Sequence, residues 1–380
     1  MYSQEDINSA VAAGAISAES AQALRSHVAA VRDAVPADAE HFRLITGFND
    51  IFVTIGVIIM LFAMGAIGQA VAGAIWPLPV WNEAATATAD WYENTHSQRK
   101  AAEGMGLSLA ALFVAVTAWF LAEFFTRKRR MALPSIILLL AFVIGVMVAQ
   151  AGLLMAVLDG GDDEMATGFA LLAGAALITA GFAWLHWRRF MVPITIAAGT
   201  AALTATAILL LLSAIGPDAS NVDTVLLVLA FVAGLVIFAF AMRWDISDPA
   251  RETRRSDVAF WLHLLAAPLI AHPVFALIGV TDGDNIGAGA ALAVLAVYVV
   301  FGIIALAVDR RALLVSALAY VLFSLTYLFQ EFGAVELSVA FTALVIGSAL
   351  LSLSALWTPI RRAVVGALPG RLSTRLPATA

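Results

Sequence analysis

Ten apolar stretches, each near the length that crosses a bilayer, recur between residues 49 and 357 of this chain. A bilayer's hydrocarbon layer is about 30 Å thick, and an α-helix rising 1.5 Å per residue needs about 20 residues to cross it. The stretches fall at about 49–74, 105–126, 132–158, 165–187, 191–214, 223–243, 257–279, 288–308, 312–330 and 335–357. Runs such as Ile136–Val157 ("IILLLAFVIGVMVAQAGLLMAV") are continuous, whereas a membrane barrel strand shows about ten residues of alternating character. Within lipid, backbone polar groups must bond inside their own segment, so each stretch is expected to be a helix. The expected class is therefore all-α: a polytopic membrane bundle of about ten transmembrane helices. Composition agrees, because 62% hydrophobic and 13% charged residues over 380 positions cannot be arranged as a soluble core and surface.

Charge sets the expected orientation. Of 21 basic residues, only Arg99 and Lys100 fall on one side of the alternating segments, while the arginine pairs 129/130, 188/189, 254/255, 310/311 and 361/362 all fall on the other. Asp159, Asp162, Asp163, Glu164, Asp218, Asp282, Asp284 and Glu336 occupy the arginine-poor side. The positive-inside rule then places both termini in the cytoplasm, which requires an even number of spans. The formal charge of −6 says little about partners, because charge is divided across the bilayer. The basic face suits anionic lipid headgroups, and no nucleic-acid partner is needed. Trp76, Trp81, Trp119, Trp184, Trp187, Trp244, Trp261 and Trp357 lie near span ends, where an interfacial aromatic belt belongs.

Residues 1–47 form a small soluble unit and the approach to the membrane. "SQED" at Ser3–Asp6 reads as a helix cap, Gly14 as a stop, and Ser17 with Glu19 as the start of a second helix. On that helix Leu24, Val28, Val31 and Val35 make one narrow apolar stripe. Two short helices cannot bury a core, so residues 1–35 are expected to dock on the membrane-side bundle, on a second copy of the chain, or on a cytoplasmic protein. Pro36 ends the helix, and Phe42, Leu44 and Ile45 around Arg43 suit an interfacial approach. Gly47 turns the chain, Asn49 is expected to cap the first span, and Asp50 falls in its first turn, where the helix dipole favours a negative charge. With no apolar core of a cleavable signal in these 47 residues, the first span is expected to act as its own targeting signal. The bundle then occupies 48–358, and 359–380 forms a basic cytoplasmic tail.

"RRMALPSI" from Arg129 and "RRFMVPIT" from Arg188 align without gaps, and related turns begin at Arg254 and Arg310. Tandem duplication of two-helix units is one reading, and the arginine demand of every inner turn is the other. The hairpin "INSAVAAGAISAESAQALRSHV" (Ile7–Val28), the approach "FRLITGFNDIF" (Phe42–Phe52) and the serial spans with arginine-rich inner turns together resemble bacterial multi-pass membrane proteins of the domain of unknown function 2157 (DUF2157) type. The resemblance covers nearly the whole chain in architecture. It implies a bacterial inner-membrane location and brings no catalytic residue with it.

Polar groups inside the spans are few, and each is informative because burial in lipid is costly. Gln69 and Gln150 are expected to hydrogen-bond neighbouring helices, and Glu123 to be neutralised by the adjoining basic turn. His263 and His272 share span seven with Pro268 and Pro273; the expected partners are carbonyls freed by the prolines, with a proton-relay or metal role as the functional alternative, although two histidines lack a third ligand. In span nine Tyr320, Ser324, Tyr327 and Glu331 occupy positions i, i+4, i+7 and i+11, and so share one face. With Tyr298 in span eight and Ser338, Thr342 and Ser352 in span ten they form a candidate polar cavity, with interhelical hydrogen bonding as the alternative. The long outer segment Trp76–Glu103, which includes His96, reads as partly helical and lying on the membrane.

Chemical signatures are absent from the sequence. There is no cysteine, no phosphate-binding glycine loop, no paired-histidine zinc motif and no nucleophile with a base beside it. The acidic turns at Asp159 and Thr281 do not match the spacing of a calcium loop. No cofactor, metal or enzymatic activity is expected. Two functions remain: the preferred expectation is permease-like movement of a small neutral or amphipathic solute or a lipid, and the alternative is a membrane scaffold or sensor that anchors the hairpin for a cytoplasmic partner. An ion-coupled pump is disfavoured by the lack of buried ionisable groups in the spans.

Overall fold

The computed structural model describes residues 9–33, 48–79, 89–158, 165–216, 221–248, 253–279, 287–331, 337–370 and 376. Among them the chain is helical, with no strand. It divides into two compact units, Met1–Phe42 with Ala378–Ala380 and Arg43–Pro377.

The first unit contains the expected hairpin. Residues 9–12 (α1) end in a turn at Gly14, whose φ of +70° is a left-handed value that glycine adopts without steric cost. Ser17 then caps α2 (Ala18–Asp33), its hydroxyl oxygen accepting from the Ser20 backbone N–H at 3.0 Å. Leu24 of the apolar stripe is 46% exposed. The cap at Ser3, the side chains of Val28, Val31 and Val35, and the approach segment through Gly47 lie outside the described residues.

The second unit holds α3 (Phe48–Ile75), α4 (Ala89–Ala122) continued by a π-helical turn (Glu123–Lys128), α5 (Ala132–Val157), α6 (Met165–Phe190) and α7 (Ile194–Ile215). It goes on through α8 (Val222–Ile246), α9 (Arg254–Leu277), α10 (Ala288–Val308), α11 (Ala312–Glu331), α12 (Ser338–Ala355) and a short α13 (Trp357–Ala367). Ten of these, α3 to α12, are long and apolar enough to cross a membrane, as expected from the sequence. Large apolar side chains such as Phe62, Val157, Val339 and Leu351 point outward, a surface consistent with an integral, multi-pass membrane protein and incompatible with water.

Two local expectations are corrected. α3 begins at Phe48, so Asn49 lies within the first turn and does not cap it; Asp50 is in that turn and buried. The polar stretch before span two is helical from Ala89 onward, as expected, but it forms the first turns of α4 itself and not an element of its own on the membrane. Its own side chains support it there: Arg99 pairs with Glu103 at 2.9 Å, and Lys100 Nζ donates to the Leu158 carbonyl at 2.5 Å, placing a cation at the C-terminal end of α5.

The three most extensive helix pairs are hairpins across arginine-rich turns, α4 with α5, α6 with α7 and α8 with α9; α3 on α4 follows, and then α10 with α11 across the fourth such turn. Three of those turns are closed by a non-glycine residue in left-handed conformation, Arg130 (φ 53°), Met191 (φ 57°) and Asp309 (φ 61°). Met191 is what separates α6 from α7, since a left-handed residue cannot continue a right-handed helix. The aligned turns differ in register, with the left-handed residue four positions before Pro134 and two before Pro193. α4 and α5 cross at backbone contact, where a Cβ on Gly104 would lie 2.6 Å from the Gly152 carbonyl oxygen. In the C-terminal half α9 is the centre, packed by α7, α8 and α11 through Leu262, Ala266, Ala271 and Phe275.

Candidate functional site: a buried ion cluster at the arginine-rich turns

Asp245 lies in the last turn of α8, where the helix dipole is unfavourable to a carboxylate, so the group needs a cationic partner. The α10–α11 turn supplies it. Because Asp309 takes the left-handed conformation and ends α10, Arg310 is directed at α8 and α9. Its Nη2 donates to Asp245 Oδ1 at 2.6 Å and lies 3.3 Å from both the Ser256 carbonyl oxygen and Oγ, while Nε lies 3.4 Å from Asp245 Oδ2. His263, one helix over on α9, places Nε2 2.8 Å from Asp245 Oδ2. That contact requires the hydrogen on Nε2, since an ionised carboxylate only accepts. The edge of the ring meets Phe238 at 5.1 Å.

The cluster is dry. Asp245 is 2% exposed, His263 3% and Arg310 5%. Each ion would lose several kcal/mol on leaving water unpaired, so the three groups are stable there only as a set. The neighbouring turn residues hold a different element: Asp309 Oδ1 accepts from Trp357 Nε1 at 2.7 Å and faces Arg361 at 3.6 Å, and the Arg311 guanidinium stacks 4.5 Å over the Trp357 ring. Three consecutive residues thus join α8, α9 and α13 to one turn.

The residues singled out from sequence are divided by the fold. His263 bonds to the Asp245 carboxylate, and the second histidine, His272, places Nδ1 2.6 Å from the Tyr320 hydroxyl; both take side-chain partners where carbonyls freed by Pro268 and Pro273 were expected. Tyr320 is also stacked on Phe275 at 4.4 Å. Ser324 is 0% exposed, and neither its Oγ nor the buried Tyr298 hydroxyl has a hydrogen-bond partner among the described residues. Tyr327 is half-buried against the C-terminal core. The tie to α12 comes from Thr326, whose hydroxyl donates to Thr342 Oγ1 at 3.2 Å, whereas Ser352 is exposed. The Glu331 side chain lies outside the described residues. Packing therefore closes the polar face of α11 around Ser324.

Sequence reasoning missed the roles of Asp245 and Arg310, and their burial overturns the premise that the spans hold no buried ionisable groups. One signal was present: an aspartate in the last turn of a long apolar helix lies at the wrong end of the dipole and demands a cation. The expected glutamine contact is present, Gln150 Nε2 donating to Thr179 Oγ1 at 3.0 Å between α5 and α6. Among the described residues no group of three or more metal-ligating side chains is placed to hold a metal. No protein-family model, no curated protein and no solved structure matches the chain.

Proposed function

We propose that this integral membrane protein is a scaffold or sensor whose bundle anchors the N-terminal hairpin for a cytoplasmic partner. Ser324 carries the reading: the polar face of α11, the candidate lining of a solute path, holds a fully buried residue at its centre. The exposed Leu24 on a separate compact unit supports the other half, because an apolar side chain on a hairpin too small for its own core is available to a partner. The arginine distribution supports cytoplasmic termini, and the resemblance to the DUF2157 type supports a bacterial inner membrane.

One observation favours permease-like transport of a small neutral or amphipathic solute or a lipid. The buried Asp245, His263 and Arg310 are the kind of ionisable set on which coupled transport relies. The two readings separate on whether water reaches α11. The chain has no cysteine, so Ser324→Cys and, as an exposed control, Asn221→Cys are labelled with a small membrane-impermeant thiol reagent applied to the outside of intact cells. The scaffold reading expects labelling of the control alone. Labelling of Ser324→Cys at a comparable rate overturns it in favour of transport.

A further inference from the structure

A second cluster of charge sits on the N-terminal half, above an apolar crevice. Glu123, in the π-helical turn that ends α4, receives Arg189 of α6 in a bidentate pair, Nε to Oε1 at 2.6 Å and Nη2 to Oε2 at 3.0 Å. Arg127 reaches the same carboxylate at 3.3 Å. One acid therefore fixes two guanidinium groups side by side and leaves each with N–H donors to spare. Lys128, Arg129, Arg130 and Arg188 are exposed around them, so these two turns carry six cations to one anion.

Directly below is a crevice of about 460 Å³ between α4, α5 and α6, lined by Trp119, Phe120, Phe142, Phe182 and Leu185, with Gln150 toward its far end. Ile178, Phe182, Leu185 and Arg189 stand at i, i+4, i+7 and i+11 of α6, so the apolar lining runs straight into Arg189. On α4, Phe120 precedes Glu123 by one turn. From Leu112 to Phe120 the crevice extends about 12 Å along the helix. Its rim is outward-facing: Leu112, Val116 and Phe120 on one side and Ile178 and Leu185 on the other are all at least 45% exposed.

We infer that this crevice is a specific site for an anionic glycerophospholipid, with an acyl chain against Phe120, Phe142 and Phe182 and the headgroup phosphate on Arg127 and Arg189. Charge complementarity selects the occupant. An apolar slot open to the side receives a chain from the bilayer, and paired guanidinium groups at its basic end match phosphate geometry. The role of Glu123 is positional: its carboxylate holds the two arginines at the mouth. The inference is independent of the scaffold reading, since it rests on different helices.

The test uses the purified full-length chain and native mass spectrometry with phosphatidylglycerol and phosphatidylcholine of identical acyl chains. Wild type is expected to retain phosphatidylglycerol preferentially. Arg127→Gln with Arg189→Gln should lower that preference by about thirtyfold, and either change alone by about fivefold. Val116→Trp, an exposed rim position, should weaken phosphatidylglycerol retention by filling the crevice, which keeps the test informative if the arginine variant fails to fold. Arg254→Gln with Arg255→Gln, a basic pair at another turn, should leave the preference intact. An unchanged preference in the first double variant, unchanged retention in Val116→Trp, or an equal loss in the second double variant overturns the site, the last by showing diffuse attraction to the whole basic face.

Discussion

At the scale of single residues, Asp245 holds a buried charge that is stable only with its partners. Its carboxylate compensates Arg310 and accepts from His263 in a place with almost no water. Asp245→Asn leaves the arginine buried without its counter-charge, an effect of about 3–5 kcal/mol. Replacing both partners with apolar residues of similar size, as in Asp245→Leu with Arg310→Met, removes the charges together, and the loss should be smaller than for Asp245→Leu alone or Arg310→Met alone. Thermal unfolding in detergent of the two single variants and the double variant checks this, and additive losses would mean the pair is not the organising contact. The residue was legible as an oddity, an acid at the wrong end of a helix. Its partner was not, because Arg310 lies 65 positions away and had a sufficient explanation as one more inner-turn arginine.

At the scale of elements, α4 and α5 show how small residues set a crossing. Gly104 and Gly152 bring the two backbones so close that each Cβ would collide with the other's carbonyl oxygen, at 2.6 and 2.7 Å. Gly152→Val should therefore push the helices apart at the crossing and cost about 1–3 kcal/mol, whereas Gly174→Ala, at a position with open space, should be neutral. Melting temperatures of the two variants in the same detergent give the comparison. The existence of both helices was plain from apolar length alone, while the crossing point was not, since glycine is frequent in membrane helices for several reasons. The start of α4 was hidden differently: its first turns are polar, and apolar length is silent about helix outside lipid.

At the scale of the whole molecule, the alternation of basic and acidic turns makes a prediction about sidedness. With both termini cytoplasmic, Asn221→Cys should react with an impermeant reagent from outside intact cells and Arg255→Cys only after the cells are opened. The opposite pattern would invert the bundle and the face on which both arginine clusters lie. Either result leaves the internal packing unaltered, because orientation is a property of chain and bilayer together.

What the sequence determined by itself was the class, the number of apolar helices able to span and, apart from the polar start of α4, their limits to within a few residues. Each depends on a local quantity, the length of an apolar run or the charge of a short turn, that lipid reads one segment at a time. The tertiary structure decided what the polar groups do. Tyr320, Ser324 and Tyr327 share a helical face by spacing, but whether that face meets water or protein depends on the helices packed against α11; α9 meets it at Tyr320 through His272, and Ser324 is fully buried. Asp245 and His263 come from the two helices of one hairpin and Arg310 from the turn of another, and no local pattern brings them together; only the packing of α8, α9 and the α10–α11 turn does.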